Sequence, residues 1–462
     1  MANETAMHGR QFDVIVVGGG TAGAFAATTA AREGLDVALL ERKSADEAGH
    51  IACGDAIKGA STFPDAIDRE YLRAESFTND TVQRALFELP DGDRIEYSFG
   101  DRSGSIIDRK RYGEVLLEEA DRAGVTIHYD TVVQDVVQRD GVVEGVVAVR
   151  NDTQRRYEAP ITIDAAGALS ILQDKADFSG ATFETNVDYT HFCSAYREVL
   201  RVDDPVGYDD ALVFKPTEQL GYLWYFPRTE TEINVGLGFQ MTEEPMQLVE
   251  TLRQDLEARP EFAGATVEDK LGAALPTRRP YDSAVAPGYL AAGDAAAHVN
   301  PTTGGGIPGA AKAGHWAGEI AADAVVEEAT DEGALWEYNH RIQTDFGKRF
   351  AAMDLYNVFG TAHSIDELTD VIASLPARQL IDVLGREGTA SMGLLDKLEL
   401  AVSTVGHWGT LYDAYRVNAM ADELKSIYDQ FPTTPSGFGH WRRERDEFMN
   451  RFYDRVGAEP KY

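Results

Sequence analysis

The chain of 462 residues sets 77 Asp and Glu against 43 Lys and Arg, a formal net charge of −34, on a composition that is 44% hydrophobic. That hydrophobic share fits an ordinary folded core, the length allows two or three structural units, and the charge argues against nucleic acid, whose binding depends on basic patches. The acids are spread along the whole chain and only 11 of the bases are Lys, a surface suited to a salt-filled cytoplasm in which molar salt screens self-repulsion within about 3 Å; an acidic protein of an ordinary cell is the alternative.

The opening MANETAMHGRQF has neither the basic start nor the apolar run of a signal peptide. No apolar stretch nears the roughly 18 residues of a membrane span, so a cytoplasmic protein is expected. Two cysteines, Cys53 and Cys193, make neither a disulfide framework nor a metal site.

FDVIVVGGGTAGAFAATTAAREGLDVALLERK reads as a complete βαβ unit. Phe12 to Val17 is a continuous apolar strand of the buried parallel type. It runs into Gly18-Gly19-Gly20-Thr21-Ala22-Gly23, which fits G-x-G-x-x-G. Gly18 suits the tight turn, Gly20 the approach of backbone N–H groups to a pyrophosphate, and Gly23 close packing of helix on strand. A small-residue helix spans Ala22 to Glu33 and stops at Gly34. A second strand, Asp36 to Leu40, ends at Glu41, where an acid accepts from ribose hydroxyls. The unit binds FAD or NAD.

HIACGDAIKG at 50–59 has no strand or helix pattern, and sets a thiol beside a glycine. IIDRKRYGEVLLEEA at 106–120 reads as a loop and then an amphipathic helix, with Arg109 at the junction. The strands from Thr126 to Val149 include GVVEGVV, read as a hairpin. ITIDAAGALS at 161–170 is a strand entering a small-residue turn. From 185 to 275 the chain is strand-rich, and Tyr222, Trp224 and Phe226 alternate so that all three share one face. Such a face either packs on the core or walls an apolar, flexible ligand. In GYLAAGDAAAHVNPTTGGGIPGAAKAG (288–314) a short strand ends at Gly293-Asp294 and a helix opens there. Gly304-Gly305-Gly306 then lead into a second small-residue helix. Residues 330–462 read as mainly helical, with the same spacing continuing from Ser364 to Pro432.

These stretches together resemble the glutathione-reductase type of FAD fold in its aromatic-hydroxylase branch. More specifically, Tyr222-Leu223-Trp224-Tyr225-Phe226-Pro227 matches the YxWxFP motif of the geranylgeranyl reductase family. The Cys53-Gly54 pair and the Pro301–Ile307 run after Gly293-Asp294 match it too. The likeness covers roughly residues 12–360. Asp55 departs from it, standing where many members have Gly; it either tunes the thiol or caps the turn. The fold implied is a Rossmann-like FAD-binding α/β fold with an inserted antiparallel-sheet substrate domain and a helical C-terminal region. The division expected is 1–180 with 276–330, then 181–275, then 331–462.

The resemblance implies FAD as cofactor, with contacts from Gly18, Gly20, Gly23, Glu41, Arg42, Cys53, Gly54, Arg109, Val133, Asp294, Gly305, Gly306 and Ile307. It implies an isoprenoid chain as substrate along Tyr222, Trp224 and Phe226. Saturating an isolated double bond needs a hydride, from N5 of a reduced flavin, and a proton for the other carbon. Cys53, placed by the resemblance beside the flavin, is the candidate acid; a small buried apolar role is the alternative. Cys193 reads as core. A single dinucleotide fold leaves no dedicated NAD(P)H domain, so electrons come from outside, from a ferredoxin or NAD(P)H. The helical C-terminal region caps the lipid pocket or rests on a membrane surface. Two other readings use the same fold: a flavin monooxygenase or halogenase, and a non-catalytic prenyl-binding protein.

Overall fold

A computed structural model describes residues 10–59, 62–89, 92–217, 221–241, 244–363, 367 and 408–462. The strand Val14–Val17, all four residues buried, lies between Val37–Leu40 and Ile161–Asp164 and pairs in parallel with both. Outside these run Thr126–His128 on one edge and Tyr289–Ala291 with Val285–Ala286 on the other. Parallel strands need crossovers, and the first is the helix Thr21–Arg32, buried along nearly its whole length. It packs on the long helix Ile307–Val326 through small side chains, because a Cβ at Gly314 would sit 2.1 Å from the Ala22 carbonyl oxygen. The mixed α/β architecture agrees with the expected class. The short helical turn carrying Asp294 is only Gly293–Ala296.

The second large sheet has seven strands, in the order Thr266–Pro276, Phe192–Arg201, Glu232–Gln240, Gly221–Pro227, Ala211–Pro216, Arg84–Glu88 and Arg94–Ser98. Ile233, Val235, Leu237 and Phe239 point to one face and pack with Leu248 and Leu252 of the helix Pro245–Glu257. Asn234, Gly236 and Gly238 point to the other. The division by sequence put 84–98 with the first unit. Here Arg84–Glu88 pairs in parallel with Ala211–Pro216, and Phe87 stacks on Phe214 at 5.1 Å between ring centres. A pairing across more than a hundred residues leaves no local mark in sequence.

The hairpin reading of GVVEGVV needs correction. The turn is at Asp140-Gly141, both in the left-handed region (φ 51° and 82°), and Val142–Arg150 is a single strand. An Asp-Gly pair is a strong signal for such a turn. In the C-terminal region the helices Glu332–Ile342 and Lys348–Thr361 are joined by one π turn, Gln343–Gly347. The helices Trp408–Tyr428 and Phe438–Val456 close on them, where Phe431 and Phe438 each meet the rings of Trp336 and Trp441. Most of 364–407, where helix was also expected, lies outside the described residues. No described helix is long and apolar enough to cross a membrane.

Candidate active site

One cavity of about 2080 Å³ runs between the two sheets. Pockets for single small ligands hold roughly 300–1,000 Å³, so this one has room for a dinucleotide and a second, large ligand.

Its first end is glycine-lined. The helix Thr21–Arg32 starts at Gly20 with no side-chain cap, so its first N–H groups are left for a ligand. A Cβ at Gly23 would lie 1.9 Å from the Gly18 carbonyl oxygen, so only glycine permits this approach. Glu41 is buried; its two carboxylate oxygens accept from the backbone N–H groups of Gly19 (2.7 Å) and Lys43 (2.8 Å). It therefore shapes the glycine loop as well as retaining lone pairs for a ribose. Arg42 and Val133 line the same end. Arg109 is the first residue of the helix Arg109–Arg122, capped by Asp108. Its guanidinium is buried, donates to the Gly49 carbonyl (3.3 Å) and Thr21 Oγ1 (3.4 Å), and lies over the Tyr112 ring.

Midway, Asp294 and the Gly304–Ile307 segment meet. Gly306 opens the helix Ile307–Val326, again with no side-chain cap. Two uncapped helix N-termini therefore face one cavity and favour negative charge there. The glycine cradle, the open N–H groups and the volume fit FAD, with Gly18, Gly20, Gly23, Glu41, Arg109, Asp294 and Gly305–Ile307 as the residues that would hold it. Burial raises the Asp294 carboxyl to about 6, with the Arg109 charge opposing. Folding thus favours the protonated acid. That contribution is full below the ordinary value of 3.8 and lost as pH rises through about 6. In protein stripped of cofactor, Asp294→Asn should flatten the fall in melting temperature over this window, an effect of up to about 3 kcal/mol; an unchanged slope would contradict it.

Cys53 lies in the loop between the two sheets, and its residual exposure is to the cavity. The Asp55 N–H donates to its Sγ at 3.2 Å. Burial, and then the Asp55 carboxylate, push the thiol up to about 11, so it is protonated at neutral pH. Gly54 has a further close neighbour within the protein. A side chain there would grow towards Phe226 (3.1 Å) and Trp224 (3.5 Å), so the glycine lets the loop approach the aromatic strand where both line the cavity.

Tyr222, Trp224 and Phe226 line the far end, joined by Phe214 and Phe87. The Tyr222 hydroxyl donates to the Thr303 carbonyl at 2.6 Å, pinning this wall to the glycine-rich segment. Trp224 fits because its strand neighbour is Gly236, where a Cβ would lie 2.5 Å from the indole. The helix Lys348–Thr361 closes the other side with Phe350, Met353, Tyr356 and Phe359. Cys193, read as core, lines the cavity instead, because its strand turns that face inward.

Sequence reasoning missed a polar cluster. Asp55 is fully buried in the left-handed region (φ 68°). Its Oδ2 accepts from Arg228 (Nε 2.8 Å, Nη2 2.6 Å) and from Asn234 Nδ2 (2.6 Å). It neither caps a turn nor stands free. A second buried cation, Arg197, lines the cavity and pairs with Asp269 at 2.5 Å, which also binds His50 at 2.8 Å. The strand EINVGLGFQ carried a signal: one Asn and two Gly on one face, four large apolar residues on the other.

Comparison with known proteins bears on this arrangement. A family model described as FAD dependent oxidoreductase matches residues 13–214. The chain is 27% identical over 450 residues to a digeranylgeranylglycerophospholipid reductase of Sulfolobus acidocaldarius, covering 96% of this chain and 98% of the relative. It is 31% identical over 375 residues to one of Methanothrix thermoacetophila, covering 80% and 92%. A crystal structure of a geranylgeranyl bacteriochlorophyll reductase-like protein from Thermoplasma acidophilum superposes with a TM-score of 0.67 at 21% identity, over 88% of this chain and 99% of that one.

Proposed function

The chain belongs to the digeranylgeranylglycerophospholipid reductase family, and from that premise we propose how its own residues perform the reaction. It is an FAD-dependent oxidoreductase that saturates the double bonds of geranylgeranyl chains in archaeal lipid synthesis. The observation that carries the reading is the single cavity joining glycine cradle, thiol and aromatic wall.

Reduced FAD, when bound, supplies a hydride to one carbon of the alkene. The protein does the rest. Tyr222, Trp224 and Phe226 hold the apolar chain and exclude water, so that a flexible ligand is presented one double bond at a time. The Cys53 Sγ–H delivers the proton to the second carbon; the S–H bond breaks, a C–H bond forms, and the thiolate takes a proton from solvent. The Asp55 N–H supports the sulfur while it is charged. The uncapped helix starts at Gly20 and Gly306 favour negative charge on the cofactor. Electrons arrive from a separate donor, a ferredoxin or NAD(P)H, and the mouth of the cavity meets the lipid by peripheral contact with the membrane surface.

Stopped-flow mixing of anaerobic, reduced protein with a geranylgeranyl phospholipid tests this reading. Flavin absorbance should return at a rate that depends on lipid concentration; absorbance that stays bleached under all lipid concentrations would refute it. The charge of −34 supports salt adaptation. Melting temperature should climb as KCl rises from about 0.1 M to beyond 1 M, as the screening length falls from about 10 Å to about 3 Å. A flat or falling profile would remove the adaptation.

A further inference from the structure

We propose that Asn234 is a positioning residue that fixes the Cys53 loop against the Trp224 wall, so that proton delivery and chain presentation share one anchor. The inference rests on the proposed role of Cys53 as the acid.

Asn234 is fully buried on the cavity face of its strand, where every sequence neighbour on the other face is apolar. A buried amide left without partners costs roughly 1–3 kcal/mol, and this one is satisfied from three directions. Its Nδ2 donates to the Cys53 carbonyl at 2.8 Å and to Asp55 Oδ2 at 2.6 Å. Its Oδ1 accepts from the Trp224 indole N–H at 2.9 Å. The orientation is forced: the indole only donates, while a carbonyl and a carboxylate only accept. A flipped amide would lose all three bonds.

The anchor reaches the sulfur by two short steps. Asp55 holds a left-handed backbone that residues other than glycine rarely adopt. Its carboxylate is clamped there by Asn234 and by the fork of Arg228. In that conformation the Asp55 N–H meets Cys53 Sγ. The loop's regular structure is the two-residue strand Ala56–Ile57, paired with the short strand Gly104–Ile107, whose Ile107 N–H donates to the Asp55 carbonyl at 3.0 Å. Trp224, by contrast, is fixed in a seven-stranded sheet. Asn234 lends the loop the rigidity of the sheet, which is what a proton donor needs, since small misplacements of a reacting group are costly.

The test uses the full, FAD-loaded chain carrying Cys193→Ser, which leaves Cys53 as the only thiol. Asn234→Leu keeps the volume and removes the three bonds. Trp224→Phe removes the indole N–H together with the pyrrole ring, keeps an aromatic side chain in the wall and leaves the bonds to Cys53 and Asp55 in place; its alkylation rate decides the matter if the leucine variant fails to fold. Asn234→Leu should speed alkylation of Cys53 by iodoacetamide about tenfold, and Trp224→Phe by a smaller factor, because opening the loop around the buried sulfur becomes easier by about the worth of a hydrogen bond. Both variants should shift the product towards partly saturated chains while the flavin spectrum stays that of the parent. Parent alkylation rates together with the parent product distribution would overturn the proposal, as would losses that simply follow loss of FAD. Cys53→Ala at parent turnover would instead defeat the acid role, with the alkylation comparison still deciding the anchor.

Discussion

Cys53→Ala is expected to leave the protein yellow, with FAD bound, and to slow saturation by roughly 10²–10⁴-fold, the usual contribution of a positioned acid. An isolated alkene offers no electron-withdrawing group to ease hydride addition, so the proton has to come from a fixed donor. The Cys53 thiol lines the central region of the cavity and is protonated at neutral pH. Burial and the neighbouring Asp55 carboxylate hold it up to about 11. The sign for pH follows: the acid form is fully present through neutral pH and is lost only as pH rises towards that value. The parent's rate should therefore stay level through neutrality, and fall only in strong alkali. Turnover and product unchanged in the alanine variant would reduce Cys53 to packing.

Gly23→Val is expected to abolish FAD binding altogether. The new Cβ would lie 1.9 Å from the Gly18 carbonyl oxygen and 3.2 Å from the Ala165 side chain. Helix, glycine turn and central strand cannot separate locally, because the strand is buried and paired on both sides. Overpacking of this kind costs 1–3 kcal/mol or more, and here it acts on the loop that receives the pyrophosphate. The purified variant should be colourless and should not take up added FAD. Gly180→Ala is the control, since a Cβ there has nothing within 4 Å; it should bind FAD like the parent. A yellow Gly23→Val protein would mean that the cofactor lies elsewhere.

What could be read in sequence was local. The βαβ unit announces itself because VIVV, the glycine spacing and Glu41 are contiguous, and each has one physical reason to be there. The helix Arg109–Arg122 and the alternation of Tyr222, Trp224 and Phe226 are local periodicities too. What could not be read was set by partners far along the chain. Asp55 finds Arg228 and Asn234 at separations of 173 and 179 residues. Before folding it was only an odd acid after Cys-Gly. That the rings of Phe226 and Trp224 crowd against Gly54 could not be read either, since they lie in the inserted sheet. Cys193 had no motif around it, and only the pairing of its strand turns it to the cavity.

The decisive measurement is the mass of the lipid after anaerobic incubation with dithionite-reduced, FAD-loaded protein and a geranylgeranyl ether phospholipid. The expected result is a gain of two hydrogens for each double bond, with intermediates appearing in steps of two. A lipid of unchanged mass, with the reduced flavin reoxidised only when oxygen is admitted, would contradict a reductase and leave an oxygen-using flavoenzyme on this fold.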